Sequence, residues 1–327
     1  MSAAADRPSV LITDYAWPDV EIERRIMEDA GYRLVAGPAN AAPAAAIEAL
    51  VEQHKPAGIL TNWAQVSARA VGLSPNLRII GRLGVGLDNI AVDEATRRGI
   101  WVTNVPDYCF EEVADHSVGM LLSFTRGLMH FDREVKAGRW EPSTARLRRM
   151  STLTVGIVGY GRIGRSTAQK LNGFGARVLA YTRRPLVEKG VEFVALDELL
   201  RQSDAVVVHI PLTPETKHLF NRERLASMKK GAVLVNVSRG AVIDTAALIE
   251  SLQSGHLGGA ALDVLENEPT VPPALLALPN VMITPHIAFT SDASLTELRT
   301  WASEEIVRVL KGQPPKEGRN KPAAVAS

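Results

Sequence analysis

Arg239, Glu268 and His286 are three polar residues that each follow a short apolar run in the C-terminal half of the chain. A guanidinium matches a planar carboxylate in two-point geometry, and an imidazole gives and takes protons near neutral pH. A carboxylate beside that imidazole stabilises its charged form. Such a set can bind, polarise and protonate a 2-keto acid, although each residue alone also fits an ordinary turn, loop or structural histidine.

A glycine-rich turn, Gly159–Gly164, has the spacing GxGxxG and stands between the apolar run Thr154–Val158 and a helical pattern. In a strand–turn–helix unit the first glycine permits a tight turn, the second admits a pyrophosphate, and the third lets helix and strand pack closely. The pyrophosphate then lies at the positive end of the helix. The spacing alone also occurs in structural turns, but this context predicts dinucleotide binding. The residues expected at the dinucleotide are Gly159, Gly161, Arg162, Ile163 and Gly164.

The end of the next predicted strand should select between NAD and NADP, and the chain there runs Ala-Tyr-Thr-Arg-Arg over residues 180–184. A carboxylate at this place accepts hydrogen bonds from the ribose of NAD, but Thr182 occupies it. Arg183 and Arg184 follow and can hold a 2′-phosphate. These residues favour NADP(H). The alternative is that both arginines are surface charges and that NAD(H) binds beside Thr182.

Several stretches in one order along the chain resemble the D-isomer-specific 2-hydroxyacid dehydrogenase family, in particular its glyoxylate/hydroxypyruvate reductase-like members. The stretches are Gly84–Asn89, Glu111–Asp115, Gly159–Gly164, Pro211–Thr213, Asn236–Gly240, Asp263–Pro269 and Thr284–His286. They cover nearly the whole chain. The resemblance implies that His286 is the proton donor and acceptor, that Glu268 is its carboxylate partner, and that Arg239 binds the carboxylate and keto oxygen of the substrate.

Further site residues are expected in these stretches and beside them. Val85 and Gly86 are expected to offer backbone N–H groups to the substrate carboxylate, and Arg82 either adds a charge there or caps its strand. Asp263 either binds the nicotinamide amide or orders its own loop. The other residues expected beside the cofactor are Pro211, Ser238 and His209, the last through packing or a backbone contact.

The elements that position these residues alternate between short apolar runs and helical patterns, which predicts parallel sheets covered by helices. Strands are expected in a first block at Ser9–Thr13, Ala57–Thr61, Leu77–Leu83 and Trp101–Val105, and in a second block at Thr154–Val158, Arg177–Tyr181, Ala205–Ile210, Ala232–Val237, Gly259–Val264 and Val281–Thr284. Six strands in the second block match a Rossmann-type doubly wound sheet. The first block predicts a smaller, flavodoxin-like α/β domain.

Two helical patterns bear on the domain organisation. Glu111–Ala137 predicts one long connecting helix, and Ser291–Leu310 follows the second sheet. In the family that the chain resembles, the nucleotide domain is inserted into a discontinuous substrate domain, so the last helix is expected to return to the first. We therefore expect a substrate domain of residues 1–105 and 292–327 and a dinucleotide-binding domain of residues 106–291.

The amino-acid composition indicates the broad class of protein to which the chain belongs. The chain has 327 residues, of which 46% are hydrophobic and 22% charged, and a net charge of +1, which is typical of globular proteins and gives no global field for nucleic acid. A single cysteine, Cys109, excludes an internal disulfide and a cysteine-based zinc site, so we expect no metal and a cytoplasmic location. Neither a secretory signal nor a membrane-length apolar run is expected. The Pro-, Lys- and Ala-rich tail from Gly312 is expected to be mobile.

Three functions are compatible with these residues. The first is an NADPH-preferring reductase of glyoxylate, hydroxypyruvate or a related 2-keto acid. The second is an NAD-dependent dehydrogenase of the phosphoglycerate type or of a secondary-metabolite acid, for which Arg82 and Arg146–Arg149 would supply a basic cluster. The third is a dinucleotide-sensing protein like the co-repressors that resemble this family. The family resemblance also implies a homodimer.

Overall fold

Two compact units make up the chain. The computed structural model describes residues 7–184 and 186–322. The first unit contains the described residues up to Tyr108 and those from Ser291 onward, and the second spans Cys109–Thr290. Each unit has one parallel sheet with helices interleaved along the chain, as the alternating strand and helix patterns predict.

The first unit has a five-stranded sheet. Its elements before Tyr108 are β1 (Ser9–Ile12), α1 (Glu21–Asp29), β2 (Arg33–Ala36), α2 (Ala44–His54), β3 (Gly58–Thr61), α3 (Ala68–Leu73), β4 (Ile79–Arg82), α4 (Val92–Arg97) and β5 (Trp101–Thr103). The strand order is β2-β1-β3-β4-β5 with every neighbour parallel, which is the flavodoxin-like order. The flavodoxin-like domain predicted from the sequence is therefore confirmed. Strands β1, β3 and β4 are buried throughout, because helices cover both faces of a parallel sheet.

The second unit has a seven-stranded sheet. Its elements are α5 (Phe110–Thr125), α6 (Leu128–Lys136), β6 (Thr154–Val158), α7 (Arg162–Gly173), β7 (Arg177–Tyr181), β8 (Glu192–Phe193), α8 (Leu196–Gln202), β9 (Ala205–Val208), α9 (Arg222–Ser227), β10 (Val233–Asn236), α10 (Thr245–Gln253), β11 (Gly259–Leu262), α11 (Pro273–Leu276) and β12 (Val281–Ile283). In the order β8-β7-β6-β9-β10-β11-β12 all neighbouring strands are parallel. The chain adds β7 and β8 on one side of β6 and then continues with β9 on the other side, so the direction in which strands are added reverses between β6 and β9. This is the switch point of a doubly wound Rossmann-type sheet, outside which such sheets bind ligands.

The single long helix predicted over Glu111–Ala137 is wrong: the segment forms α5 and α6, which are separated at Gly127. Gly127 has a left-handed φ of 62°, which interrupts a right-handed helix and is unfavourable for other residues. A Cβ on Gly127 would also lie 2.9 Å from the Leu147 side chain and 3.0 Å from Phe131. The left-handed backbone at Gly127 therefore ends the first helix, and the second begins directly after it.

The last helix, α12 (Asp292–Leu310), belongs to the first unit. Ser291 caps it, since its hydroxyl accepts from the Ser294 N–H at 2.9 Å and its own N–H donates to the Ser294 hydroxyl at 2.8 Å. Arg299 of α12 binds both carboxylate oxygens of the fully buried Glu23 in α1 at 2.8 Å. A hydrogen-bonded ion pair thus joins two helices that lie some 270 residues apart in the sequence.

The expectation of a mobile tail from Gly312 is wrong for the part that the structure describes. The Arg319 N–H donates to the Val102 carbonyl at 2.8 Å, and the Asn320 side chain accepts from the Val102 N–H at 2.9 Å. Backbone pairing with β5 holds this segment, and composition alone does not reveal such pairing. The remainder of the tail, residues 323–327, lies outside the described residues, as do residues 1–6 of the N-terminal stretch, where no secretory signal is expected.

The described helices and polar side chains bear on membrane and metal binding. Among residues 7–184 and 186–322, no helix has the length and apolarity needed to cross a membrane. Within the same ranges, no three His, Cys, Asp or Glu side chains form a cluster that could hold a metal ion. Cys109 is buried.

Candidate active site

The predicted catalytic residues of the second unit follow three neighbouring strands. Arg239 comes after β10, Glu268 after β11 and His286 after β12, and the carboxyl ends of these parallel strands lie on one edge of the sheet. Nδ1 of His286 lies 2.8 Å from Oε2 of Glu268. Because a carboxylate can only accept, Nδ1 carries the hydrogen, and Nε2 is the nitrogen that can exchange a proton with another molecule.

The backbone around His286 fixes the direction of its ring. His286 has a left-handed φ of 54°, a conformation that costs energy in a residue other than glycine and is often found at functional sites. Its N–H donates to the Asp263 carbonyl at 2.8 Å. The ring of Phe289 stands edge-on to the imidazole, with the centroids 6.2 Å apart. These contacts hold a strained conformation that local sequence preference would not select.

Asp263 orders the loop that carries His286. Its buried carboxylate accepts from the Ile287 N–H at 2.9 Å, from the Ala288 N–H at 3.0 Å and from the Thr284 hydroxyl at 2.5 Å. Of the two roles that the sequence left open for Asp263, the described contacts are those of loop ordering. Contact with a nicotinamide amide stays a prediction.

His116 was missed by the sequence analysis. It lies on α5, and its Nε2 is 3.1 Å from the Thr284 hydroxyl and 3.6 Å from an oxygen of Asp263. Since the Thr284 hydroxyl donates to Asp263, it accepts from Nε2 of His116. The position of His116, directly after the family-like stretch Glu111–Asp115, was the only sequence signal for this contact.

The turn that carries Arg239 packs directly on the loop that carries Glu268. A Cβ on Gly240 would lie 1.9 Å from the carbonyl carbon of Leu265 and 2.3 Å from the Glu266 nitrogen, so only glycine fits there. The buried Asn236 shapes the same turn, because its amide donates to the Arg239 carbonyl at 3.0 Å. The close packing explains why a glycine follows Arg239.

The electrostatic environment keeps Glu268 ionised. Burial acts to raise the pKa of Glu268, but the hydrogen bond and charge of His286, the Leu265 N–H and the charge of Arg239 together hold that pKa below its ordinary value. The Leu265 N–H lies 2.9 Å from Oε1 of Glu268. A carboxylate that stays charged in this place can stabilise a protonated imidazole.

The glycine-rich turn after β6 has the shape that a dinucleotide requires. Gly159 has a φ of 102°, and a Cβ there would lie 2.5 Å from the His209 carbonyl oxygen. A Cβ on Gly164 would lie 2.2 Å from the Gly159 carbonyl oxygen, whereas one on Gly161 would meet no atom within 4 Å. The turn is therefore tight where it faces the protein and open at the glycine where a pyrophosphate is expected.

The helix after this turn is suited to phosphate. Gly161 is the N-cap of α7 and no side chain caps the helix, while the N–H groups of a first helical turn have no partners within the helix. Arg162 and Ile163 begin α7. The residues present thus fit the pyrophosphate of a dinucleotide, as the GxGxxG spacing predicted.

His209 is a neutral, half-buried contact of the same region. Its Nε2 lies 3.0 Å from the Thr167 hydroxyl, which itself donates to the Ile163 carbonyl at 2.9 Å. Burial lowers the pKa of His209 to about 3, so the ring is uncharged at neutral pH and donates from Nε2. The described contact of His209 is thus a side-chain hydrogen bond, and its expected place beside the cofactor stays a prediction.

At the end of β7, Thr182 is half-buried and Arg183 and Arg184 are exposed. Neither arginine forms an ion pair with a residue in the described part of the chain. The charge of Arg183 is one of the lesser influences that hold the pKa of Glu215 below its ordinary value, after hydrogen bonds from the Thr213 hydroxyl and the backbone. Glu215 follows the Pro211–Thr213 stretch, so the loop with Pro211 lies within electrostatic reach of Arg183.

In the first unit, the loop after β4 carries the predicted substrate donors. Val85 is 41% exposed, and neither its N–H nor that of Gly86 donates to another residue of the described ranges. Arg82 is 8% exposed and contacts Asn89 at 3.1 Å and Asn62 at 3.3 Å. The Arg82 side chain therefore helps to hold the loop after β4 in place.

Two other predicted groups can be placed in the second unit. The Ser238 hydroxyl donates to the Asn236 side chain at 2.8 Å, within the turn that carries Arg239. In the Arg146–Arg149 segment, Arg148 forms an ion pair at 3.0 Å with Asp204, which immediately precedes β9. Arg148 thus lies at the amino-terminal edge of the sheet, the edge opposite to His286.

Known proteins match this fold and these loops. Residues 118–288 match the family model of the D-isomer specific 2-hydroxyacid dehydrogenase, NAD binding domain. The chain is 41% identical over 261 residues to a glyoxylate reductase of Thermofilum pendens, which covers 77% of each protein. It is also 41% identical over 253 residues to a glyoxylate reductase of Pyrococcus furiosus, which covers 74% of this chain and 75% of that protein.

Solved structures agree along nearly the whole chain. The TT0316 protein from Thermus thermophilus superposes with a TM-score of 0.89 at 35% identity, covering 95% of this chain and 99% of that one. A D-lactate dehydrogenase from Aquifex aeolicus, solved with NAD and lactic acid, gives a TM-score of 0.85 at 31% identity and covers 96% and 100%.

The fold and the matches define an oxidoreductase with a nicotinamide dinucleotide cofactor. More particularly, the chain belongs to the D-isomer-specific 2-hydroxyacid dehydrogenase family and is an NAD(P)-dependent dehydrogenase. The resemblance that its motifs suggested is therefore confirmed.

Proposed function

We propose that this protein is an NADPH-preferring reductase of glyoxylate, hydroxypyruvate or a related small 2-keto acid, and that it forms the D-isomer where the product is chiral. The observation that carries the proposal is the 2.8 Å pair of His286 and Glu268 on loops adjoining the Arg239 turn. Relatives about 40% identical that are named glyoxylate reductases support the small substrate.

In this proposal the reduced nicotinamide supplies a hydride to the keto carbon. Arg239 binds the substrate carboxylate and the keto oxygen, which polarises the carbonyl for attack. His286 gives the proton on Nε2 to the oxygen as negative charge develops there. Glu268 accepts from Nδ1, orients the ring and balances its charge. Val85 and Gly86 stay proposed backbone donors to the substrate carboxylate, and Asp263, Pro211, Ser238 and His209 stay proposed cofactor contacts.

The preference for NADPH rests on the end of β7. Thr182 replaces the carboxylate that would bind the ribose of NAD and repel a 2′-phosphate. Arg183 and Arg184 are exposed and are held in no ion pair with described carboxylates, so both are available to a phosphate. An arginine binds phosphate through charge-assisted, often bidentate, hydrogen bonds.

The phosphoglycerate-type alternative needs a basic cluster near the catalytic loops. Arg148, a member of the suggested cluster, is paired with Asp204 at the opposite edge of the sheet. Arg82 is engaged with Asn62 and Asn89. These contacts favour a small uncharged substituent on the keto acid over a phosphorylated one.

The deciding experiment is initial-rate oxidation of NADPH and NADH with glyoxylate, hydroxypyruvate, pyruvate, phenylpyruvate and 3-phosphohydroxypyruvate. We expect turnover of the smallest acids with NADPH, a loss of at least about 100-fold in His286→Ala, and full activity in His130→Ala, a histidine of α6 outside the site. Turnover only of 3-phosphohydroxypyruvate would favour the phosphoglycerate type. No turnover with cofactor binding intact would overturn the proposal and favour a dinucleotide sensor.

The homodimer and the cytoplasmic location stay predictions. Sedimentation equilibrium of the purified protein tests the first, since a dimer should have about twice the 35.3 kDa mass of one chain. Fractionation of cells that produce the protein tests the second.

A further inference from the structure

A basic groove runs along the amino-terminal edge of the sheet in the first unit. Its volume is about 1310 Å³, and every residue that lines it belongs to this unit. The basic groove is defined here by Arg7, Arg33, Lys55 and Arg78 with the aromatic rings of Tyr32 and Trp101. The predicted substrate donors Val85 and Gly86 follow the carboxyl end of β4, so the groove is at the other end of the same strands.

The topology of the sheet places the four cations in a row. Arg33 is the first residue of β2, Arg7 lies two residues before β1, Lys55 three before β3, and Arg78 immediately before β4. The strand order is β2-β1-β3-β4, so one cation belongs to each of four adjacent strands. Neighbouring strands are about 4.8 Å apart, and the row therefore extends over roughly 14 Å of the sheet edge.

Among the described residues, no neighbouring side chain neutralises the charges of this row. No described Asp or Glu lines the groove, and none of the four cations forms an ion pair with a residue of the described ranges. Arg98, which also lines the groove, differs because it is paired with Glu94. Like charges at this spacing repel one another, so a multiply charged anion would be attracted and would stabilise the unit.

The two aromatic rings stand at the ends of the row. Tyr32 directly precedes Arg33, and Trp101 is the first residue of β5, the strand beyond β4. Both are half-buried and line the groove with the cations. A flat heterocyclic ring can stack on such a side chain while attached phosphates lie on arginine and lysine.

We propose that the basic groove binds an oligophosphate anion, with several consecutive phosphates across the row of cations. The source of the phosphates is either a free oligophosphate or a nucleoside triphosphate whose base contacts Tyr32 or Trp101. The site is separate from the glycine-rich turn, which lies in the other unit. It does not depend on the substrate or the cofactor preference proposed above.

Calorimetric titration of the intact protein, already saturated with NADPH, tests this proposal with tripolyphosphate, magnesium-free ATP and adenosine. We expect tripolyphosphate and ATP to bind at one equivalent and adenosine not to bind. Tighter binding of ATP than of tripolyphosphate would identify a nucleoside triphosphate as the source, and equal binding a free oligophosphate. The affinity of the unmodified protein should fall as salt is raised, because the contacts are ionic.

The test variant is Arg33→Gln with Lys55→Gln, two exposed side chains whose loss leaves the core intact. The matched control is Arg201→Gln with Lys230→Gln, which removes the same charge from exposed residues of the second unit. We expect the test variant to bind at least about tenfold more weakly and the control to bind normally, with circular dichroism and NADPH binding unchanged in both.

Any of four results would overturn the proposal, and the first three are no binding by the unmodified protein, equal binding by both double variants, and displacement of NADPH by ATP. Affinity that is independent of salt would do the same. The salt series uses only the unmodified protein, so the proposal remains testable even if a variant fails to fold. All readouts are binding measurements, so a failure here is distinguishable from a failure of the proposed reductase activity.

Discussion

Nε2 of His218 lies 2.7 Å from Oε1 of Glu266, two residues before Glu268. The other carboxylate oxygen of Glu266 accepts from the Thr245 hydroxyl at 2.8 Å, at the start of α10. His218 has a left-handed φ of 50°, and its N–H donates to the Ala241 carbonyl at 2.8 Å. Glu266 thus joins the loop of Glu268 to two neighbouring segments.

We expect Glu266→Ala to lower kcat by about tenfold, because a small displacement of a catalytic group reduces its efficiency. KM should change less, since Glu266 is not proposed to touch the substrate. Glu266→Gln keeps a hydrogen-bond acceptor for Thr245 and should retain more activity than Glu266→Ala. The control is Glu250→Ala, which removes an exposed carboxylate paired with Arg222; equal kcat in Glu266→Ala and the control would contradict a positioning role.

The pH dependence of Glu268 follows from the direction of its shift. Its pKa is held below the ordinary value of 4.5, so its ionic contribution is complete above that value and is lost only as the pH falls through the lowered pKa. We therefore expect no loss of kcat/KM between pH 7 and pH 5 that depends on Glu268. Rate profiles of the unmodified protein and Glu268→Gln test this.

Glu268→Gln removes the carboxylate charge at every pH, and we expect kcat for reduction to fall by about 100-fold. Circular dichroism should be unchanged, since glutamine has nearly the same shape. An acid limb above pH 5 in the unmodified protein that vanishes in Glu268→Gln would show that the carboxylate titrates higher than its surroundings indicate.

Sequence patterns were sufficient for the features that depend on burial and strand order. Runs such as Thr154–Val158 are rich in β-branched residues because parallel strands are buried on both faces. Polar residues after such runs must lie at the carboxyl edge of the sheet, and that rule places His286, Glu268 and Arg239 at one edge. The strand order of the structure then makes their loops neighbours. Glycine spacing located the turn at Gly159 for the same reason, since its geometry is local.

Features that depend on contacts between distant residues were not accessible from the sequence. The docked tail depends on the hydrogen bond from the Arg319 N–H to the Val102 carbonyl, which joins residues far apart in the sequence. The contact of His116 with Thr284 joins a helix to a loop more than 160 residues further along the chain. Strand β8 has only two residues, too few to show an alternating pattern.

The proposed selection of NADPH over NADH at the end of β7 can be tested by changing the charges of the residues there. Arg183→Ala and Arg184→Ala each remove a cation proposed for the 2′-phosphate, and we expect each to lower kcat/KM for NADPH by about tenfold while leaving that for NADH nearly unchanged. Thr182→Asp should reverse the preference from NADPH to NADH, because a carboxylate repels the 2′-phosphate and accepts hydrogen bonds from the ribose hydroxyls of NADH. Arg201→Ala, an exposed arginine at the end of α8, is the control; a preference for NADPH that survives both arginine changes would place its cause elsewhere.

Gly240 provides a test of how closely the two catalytic loops must pack. A Cβ there would meet the backbone of Leu265 at 1.9 Å, and backbone atoms cannot rotate away as a side chain can. Gly240→Ala should therefore separate the Arg239 turn from the Glu268 loop. We expect the free energy of unfolding to fall by about 1–3 kcal/mol, and we expect kcat to fall by a larger fraction of its value than the free energy of unfolding does.

Gly173→Ala is the matched control, since Gly173 ends α7 and an added Cβ meets no atom within 4 Å. Urea unfolding and initial rates should separate the two variants, and a Gly240→Ala protein with normal kcat would show that the close approach is not needed for catalysis.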